Sequence, residues 1–327
     1  MRLLINTPRR LQRRTETRMD IRTTARSRPL IRALLVGLLT TCSAIAQPRP
    51  ATAVEPFTGT LQKIYETGVI RIGHRENSPP FAFLDAQRRP IGYSLDICDV
   101  VVEQVGEYVH KALRVEYVPV SPSNRFDLVK SGAVDLECGS TTASAERRTA
   151  FDFSPPIFVT GTKLLVKRGS GIRSLKDLQG KTLVLTSGTV HADTLPRLAQ
   201  RQKLAINFVF APDHDASFKL LAEGRADAFA NDDIQLHGTI ALRNAASDYR
   251  VVGDLLTYAD YALMFRRGDA EFASVVNQAF ERMAQSGETR AIYRRWFEQR
   301  LPDGAKLNVP MSPHLEHVFQ QQGLASD

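Results

Sequence analysis

The sequence lacks the motifs of common catalytic and nucleotide-binding sites. It contains no GxSxG nucleophile elbow, no HExxH zinc motif and no GxxxxGKS/T phosphate loop. Its seven histidines are scattered, and none has a second histidine or a cysteine at metal-ligand spacing. Three cysteines in 327 residues also exclude a disulfide-stapled miniprotein. We therefore expect no metal and no other cofactor.

The folded part of the chain has no excess of basic charge. The net charge of +8 comes from residues 1–47, where ten arginines face only Glu16 and Asp20. The remaining chain carries 33 basic and 33 acidic residues, which argues against a nucleic-acid partner. An apolar fraction of 43% is ordinary for a globular protein, and the length suits about two domains.

Long apolar runs are also missing. The apolar run at residues 33–39 is far shorter than the roughly 20 residues that span a bilayer. It follows several arginines and precedes the small residues Ala44 and Ala46, a pattern that predicts a cleavable secretory signal peptide over residues 1–46. Met19 is an alternative start. An arginine-rich mitochondrial presequence and a lipoprotein anchored through Cys42 are alternatives, but the residues before Cys42 lack the small side chains of a lipobox.

Export would leave Cys98 and Cys138 as the cysteines of the mature chain. An oxidising compartment allows the two to form a disulfide. Two separate buried thiols are the alternative, and the sequence leaves both open.

Strand and helix patterns alternate from residue 69 onwards, which predicts an α/β fold with largely parallel sheets. The pattern restarts after residue 156, so we expect two similar lobes with a cleft between them. Residues 151–156 are predicted to be a turn-rich crossing, and the tail from Pro302 to lie over the surface. Strands are predicted at residues 69–73, 115–120, 133–138, 163–167, 181–185, 206–210, 226–230, 250–252 and 261–265. Helices are predicted at residues 98–113, 124–131, 144–148, 191–201, 215–223, 232–242 and 269–285.

Polar loops rich in glycine and hydroxyl groups follow four of the predicted strands, at residues 74–77, 121–125, 139–142 and 186–189. Ligands of α/β folds bind at the carboxyl ends of strands, and helix N-termini attract anions. Serine and threonine at such places are more often plain helix caps. Four such loops together nevertheless favour a small anionic ligand.

At these loops the sequence resembles the periplasmic solute-binding proteins of polar amino-acid ABC transporters (family 3), in particular the glutamate/aspartate-binding branch. The resemblance covers residues 57–312 and is strongest at residues 137–142 (ECGSTT). It implies a two-lobed type II periplasmic binding protein fold with two hinge strands and a ligand cleft. Lobe 1 would comprise residues 57–160 plus 256–327, and lobe 2 residues 161–255. The other resembling segments are residues 68–76, 92–94, 123–125, 146–147, 158–167, 186–189, 213–214, 232–233, 286–288 and 296–297.

The resemblance also implies a ligand set. Arg147 would pair with the α-carboxylate of an amino acid through a bidentate fork. Thr142 and the backbone N–H groups of the loop at residues 187–190, which includes Thr189 and Val190, would add donors. Asp232 would bind the α-ammonium group, together with Ser140 and Thr142.

Arg75, Arg125 and His214 would bind the side-chain carboxylate of the ligand. The alternatives are that Arg75 is a surface residue, that His214 caps a helix, and that Asp232 or Asp233 is a helix N-cap. Two positions depart from the branch. Pro122 stands where a ligand-contacting serine is frequent, which leaves the preferred side-chain length open, and Val190 replaces a usual threonine.

The function that the resemblance implies is that of a non-catalytic periplasmic receptor. It would bind L-glutamate or L-aspartate as a monomer, close on it, and deliver it to the membrane permease of an ABC importer. The alternatives are an enzyme on the same scaffold, of the cyclohexadienyl or arogenate dehydratase kind, and a ligand-loaded messenger for a membrane sensor. Fold alone does not separate these functions.

Overall fold

The computed structural model of the protein describes residues 57–302 and 304–323. The predicted signal peptide, the alternative start at Met19 and the lipoprotein alternative at Cys42 lie outside the described residues. Within the described residues, no helix has the length and apolar character needed to cross a membrane.

Short strands and helices alternate along the chain. The strands are β1 (Val69–His74), β2 (Asn77–Ser78), β3 (Ala82–Leu84), β4 (Pro90–Ile91), β5 (Arg114–Pro119), β6 (Leu136–Glu137), β7 (Phe151–Phe153), β8 (Phe158–Lys167), β9 (Thr182–Thr186), β10 (Asn207–Ala211), β11 (Ala228–Asp232), β12 (Tyr249–Val252), β13 (Tyr258–Tyr261) and β14 (Met264–Arg266). The α-helices are α1 (Gly59–Thr67), α2 (Tyr93–Tyr108), α3 (Arg125–Lys130), α4 (Val190–Arg201), α5 (His214–Ala222), α6 (Asp233–Leu242), α7 (Ala270–Ser286), α8 (Glu288–Tyr293) and α9 (Pro313–Gln321). Single turns of other helix types lie at Arg147–Thr149, Leu175–Leu178 and Arg294–Glu298.

Two sheets that share a five-strand arrangement form the two lobes; β13 adds a sixth strand beside β8, and β2, β3 and β4 form a separate small sheet. The first lobe is built on the order β5-β1-β6-β14-β7 and the second on β10-β9-β11-β8-β12. In each sheet three neighbouring strands are parallel, and one strand inserts antiparallel beside them, β14 in the first and β8 in the second. Helical crossovers between parallel strands explain the alternation of patterns along the sequence.

The long strand β8 connects the lobes. Its first half, Phe158 to Gly161, pairs antiparallel with β13, whereas its second half pairs with β11 and β12 in the second sheet. β13 runs back toward the first lobe and is followed by β14 of the first sheet. The ladder of β8 and β13 is therefore the hinge between the lobes.

Both lobes have apolar cores. In the second lobe Leu164 and Val166 pack on one face of the sheet and Leu165 on the other, because successive strand residues point to opposite sides. In the first lobe aromatic side chains cluster next to the hinge. The ring centroids of Phe158 and Phe297 lie 4.9 Å apart, and those of Phe81 and Tyr261 also 4.9 Å.

Two predictions for the hinge region are wrong. Residues 151–156 are not only a turn, because Phe151–Phe153 form β7 and pair with β14. Residues 261–265 are not one strand, because β13 ends at Tyr261 and β14 begins at Met264. Here the chain changes its pairing partner from β8 to the first sheet, a long-range event that local pattern does not encode.

Further boundaries differ. The strand predicted at residues 133–138 is only Leu136–Glu137, and in place of a helix at residues 144–148 there is a single 3₁₀ turn at Arg147–Thr149. The helix predicted at residues 98–113 instead begins at Tyr93 and ends at Tyr108, since His110 has a left-handed backbone (φ 54°) that stops it. The apolar residues after this point pack on the core from a loop. The tail after Pro302 does not only lie over the surface. It forms α9, which buries Leu315 and Phe319 against the first lobe.

Cys98 on α2 and Cys138 directly after β6 form a disulfide. It joins the helix to the loop at residues 139–142. We predict that replacing both cysteines by serine lowers the free energy of unfolding by about 4 kcal/mol, because the bond closes a long segment of the unfolded chain. Urea denaturation measures the change, and reduction of the wild type should reproduce it. Two reactive thiols in unfolded, unreduced residues 47–327 would contradict the disulfide.

Candidate functional site

Polar side chains meet where strands of both lobes end. Arg75 follows β1 and Ser140 follows β6 in the first lobe. Thr189 follows β9 and Asp232 ends β11 in the second lobe. The carboxyl ends of the parallel strands lie at one edge of each sheet, and these two edges face each other across the hinge.

The two edges enclose a small, tightly closed polar cavity. All nine residues that the sequence resemblance selects line it, together with three that it does not. The lining residues are Arg75, Arg125, Ser140, Thr142, Arg147, Thr189, Val190, His191, His214, Asn231, Asp232 and Gln235. Pro122 is not in this lining.

Three arginines of the first lobe converge on the cavity. Arg75 is 1% exposed and Arg125 is 2% exposed, which rules out the surface alternative for Arg75. Arg125 and Arg147 donate to the carbonyl oxygen of Gly188, at 3.3 and 3.2 Å, and both guanidinium groups lie on the ring of Phe126. The second-lobe loop at Gly188 is therefore hydrogen-bonded to two arginines of the first lobe.

The arginines are costly to bury. Desolvation, followed by the repulsion of Arg125, lowers the pKa of Arg75 and of Arg147 to about 9. Nε and Nη2 of Arg75 and Nε of Arg125 have no hydrogen-bond partner among the described residues. Buried donors without partners are rare in proteins, so these atoms are available as donors to an anion.

An acidic group lies on the opposite side of the cavity. The Tyr261 hydroxyl donates to Asp232 Oδ2, and His191 Nε2 lies 3.4 Å from the same oxygen, whereas Oδ1 has no partner within residues 57–302 and 304–323. Asp232 occupies the N-cap position of α6 but makes no side-chain cap bond. Its neighbour Asp233 accepts from Thr160 and its own helix instead. Asp232 therefore presents a free carboxylate oxygen to the cavity.

His214 is held uncharged. Burial lowers its pKa well below 6.5, and Arg75, His191 and Arg125 add repulsion. Its Nδ1 lies 3.0 Å from the Thr186 hydroxyl, so Nε2 is left for other partners. The cap of α5 is Asp213, whose carboxylate accepts from the Ala216 N–H, so His214 is not the capping residue.

The lobes touch at several points around the cavity. Gln235 of the second lobe donates to Ser140 at 3.0 Å and to the Tyr261 hydroxyl at 2.6 Å. Gly188 lies against the Pro122 backbone so closely that a Cβ atom at Gly188 would be 2.6 Å from the Pro122 oxygen. These contacts describe a closed arrangement of the two lobes.

The sequence reasoning misses His191, Asn231 and Gln235. Asn231 precedes Asp232 at the end of β11, and His191 follows Val190 in α4, so adjacency to selected residues was an available signal. Gln235 had no such signal, because only the packing of α6 on the hinge directs it toward Ser140. Among the described residues, no group of three metal-ligating side chains is close enough to hold an ion.

Comparison with known proteins agrees with this architecture. Residues 70–299 match the model of the bacterial extracellular solute-binding proteins, family 3. The chain belongs to this family. By its family it is therefore an extracellular solute-binding protein.

Several relatives cover most of the chain. The L-glutamate/L-aspartate-binding protein of Pseudomonas aeruginosa is 41% identical over 86% of this chain and 95% of that protein. The glutamate/aspartate import solute-binding protein of Salmonella typhimurium is 37% identical over 80% of this chain and 87% of that protein. A solved structure of the solute receptor for L-cysteine of Neisseria gonorrhoeae matches with a TM-score of 0.65 and 26% identity, covering 76% of this chain and 99% of that chain.

The lowered pKa of His214 predicts a loss of stability in acid. Below pH 6.5 the unfolded chain binds a proton at this imidazole that the folded protein does not, so unfolding becomes easier as the pH falls. Above pH 6.5 both states are neutral and the effect vanishes. We expect His214→Gln to reduce the stability lost between pH 7 and pH 5 by up to about 2 kcal/mol.

Urea denaturation at several pH values measures this difference. His317→Gln is the matched control, because His317 is exposed on α9. Identical pH dependence in the wild type and the His214 variant would contradict a histidine held neutral by burial.

The close approach at Gly188 predicts a second effect. Gly188→Ala should weaken the affinity for the wild-type ligand by about tenfold or more, because the new methyl group meets the Pro122 backbone only when the lobes close. Gly180→Ala is the control, since Gly180 has the same backbone (φ 73° against 74°) but no neighbour within 4 Å. Calorimetric titration gives the affinities. An equal loss in both variants would show that backbone strain, not closure, is responsible.

Proposed function

We propose that this protein is the substrate-binding component of an ABC importer for acidic amino acids, L-glutamate or L-aspartate. The observation that carries the proposal is the charge arrangement of the cavity. Three arginine side chains lie on the first-lobe side and one aspartate, with a free oxygen, on the second-lobe side. A ligand with two carboxylates and one ammonium group matches this arrangement.

Each charged group of such a ligand has a partner. In our proposal the α-carboxylate binds Arg147, whose Nη1 donates to the Thr142 carbonyl, together with the N-terminus of α4. The Thr189 hydroxyl caps that helix and donates to the Thr186 carbonyl. In our proposal it is therefore the backbone N–H groups of Thr189 and Val190 that contact the ligand.

The ammonium group would bind the free oxygen of Asp232, with the hydroxyls of Ser140 and Thr142 beside it. The side-chain carboxylate would receive hydrogen bonds from the unpartnered nitrogens of Arg75 and Arg125 and from His214. A neutral side chain would give these unpartnered, buried guanidinium nitrogens no anionic acceptor, which costs several kcal/mol. This difference is the proposed basis of selectivity.

The relatives support the wider role. Those from Pseudomonas aeruginosa and Salmonella typhimurium are named for glutamate and aspartate. We propose that the mature chain is a periplasmic monomer, released from its signal peptide, that docks on a membrane permease. Its lobes would comprise residues 57–160 plus 256–327 and residues 161–255.

Calorimetric titration of residues 47–327, freed of bound ligand by unfolding and refolding, tests the proposal. Glutamate, aspartate, glutamine and prephenate are injected separately. We expect saturable binding of glutamate or aspartate and much weaker binding of glutamine. If neither acid gives a binding signal, the proposal is contradicted. Formation of an aromatic product from prephenate or arogenate would support a dehydratase instead.

Two substitutions separate the roles of the arginines. We expect Arg147→Ala to weaken every amino acid by about 100-fold or more, because every amino acid carries the α-carboxylate. Arg125→Ala should weaken the acidic ligands about 100-fold but glutamine less than about tenfold.

Arg225→Ala is the control, since Arg225 pairs with Glu223 on the surface of the second lobe. Calorimetry gives the affinity of each variant for each ligand. Equal losses for all ligands in both cavity variants would refute this division of labour.

A further inference from the structure

A buried acid lies beneath the arginines and takes no part in the ligand contacts described so far. Glu137 ends β6 and is fully buried. Its Oε2 accepts a hydrogen bond from the Thr141 hydroxyl at 2.6 Å. Its Oε1 has no partner in the part of the chain that the structure describes. A carboxylate in such a place destabilises the protein unless nearby positive charge compensates for it.

The compensation comes from Arg75, Arg125 and Arg147, without a direct ion pair. A Cβ atom at Gly139 would lie 2.4 Å from Glu137 Oε1 and 2.8 Å from Arg75 Cγ, so acid and arginine stem meet behind this glycine. Among the described residues, no guanidinium nitrogen approaches the Glu137 carboxylate within the 4 Å of an ion pair. The interaction therefore acts through space in a medium with little water.

The electrostatics of the cavity agree with this geometry. Glu137 raises the pKa of Arg75, Arg125 and Arg147, against the larger lowering by desolvation. Of the cavity lining and the acid directly behind it, three arginines face two carboxylates, Glu137 and Asp232. Asp213 acts more weakly than Glu137 on Arg75, and Asp193 and Glu146 act more weakly than Glu137 on Arg147. The difference between the three arginines and the two carboxylates is one positive charge, which the single net negative charge of an acidic amino acid would neutralise.

We propose that Glu137 is a specificity-determining residue that contacts no ligand, and that it sets the charge of the cavity so that one net negative charge on the ligand is balanced. The inference rests on the proposed function, since it presumes an acidic amino acid in the cavity. Glu137 limits the attraction of the cavity for anions. It also lowers the energetic cost of burying the three arginines in the ligand-free protein.

The isosteric substitution Glu137→Gln separates charge from structure. Glutamine retains an oxygen that accepts from Thr141, so the loop at residues 139–142 keeps its support. The cavity gains one positive charge. Anionic ligands should therefore bind more tightly, neutral ligands should change little, and the ligand-free protein should unfold more easily.

The experiment compares the wild type, Glu137→Gln and Thr141→Val by calorimetry with glutamate, aspartate and glutamine, and by urea denaturation without ligand. For Glu137→Gln we expect the Kd of the acid that the wild type prefers to fall about tenfold, while that of glutamine changes less than about threefold. Thr141→Val removes the hydrogen bond without changing the charge, so it should leave the ratio of the two affinities unaltered. Equal weakening of all ligands in Glu137→Gln would overturn the inference, because it indicates a purely structural role.

Failure of the inference can be told apart from failure of the proposed function. If the wild type binds neither acid, the proposed function fails. If the wild type binds one and Glu137→Gln leaves the acid-to-glutamine ratio unchanged or lower, only the inference fails. If Glu137→Gln does not fold without ligand, its yield of folded protein is measured after refolding in the presence of glutamate, aspartate or glutamine. Recovery with an acid but not with glutamine supports a missing counter-charge, and equal recovery with all three overturns it.

Discussion

Arg75 and Arg125 bring two like charges into a region that is almost closed to water. The groups around them determine whether this burial is tolerated. The cost of burying two guanidinium groups is several kcal/mol each unless anions and hydrogen-bond acceptors surround them. The protein supplies part of this compensation through Glu137 and the Gly188 carbonyl. In the proposed function, the unpartnered nitrogens that are left bind the side-chain carboxylate of the ligand.

The two sides of the cavity are attached to the scaffold in different ways. In the first lobe, Ser94 of α2 donates to the Gly139 carbonyl at 2.7 Å, and the disulfide anchors Cys138 to the same helix. The second lobe contributes the Gly188 loop, which follows β9, and Asp232, which ends β11. Because β8 and β13 join the lobes, a small change in this ladder can move the second lobe relative to the arginines.

The local patterns predicted most elements but not their pairing. Short apolar runs over residues 69–73 and 181–185 located β1 and β9 within a residue or two, because strands buried on both faces give continuous apolar runs. Local pattern failed at β7 and at the break between β13 and β14. There a strand exists only because a partner from a distant part of the chain lies beside it.

The sequence alone determined the family, the alternation of strands and helices, and which polar loops carry the charged residues, because these properties reside in local order and in motifs such as residues 137–142. Tertiary structure decided the rest. Burial made His214 neutral, and the approach of the lobes placed Gln235 on Ser140 and Gly188 on Pro122. These effects depend on desolvation and on distances between residues far apart in the chain, which no local pattern contains.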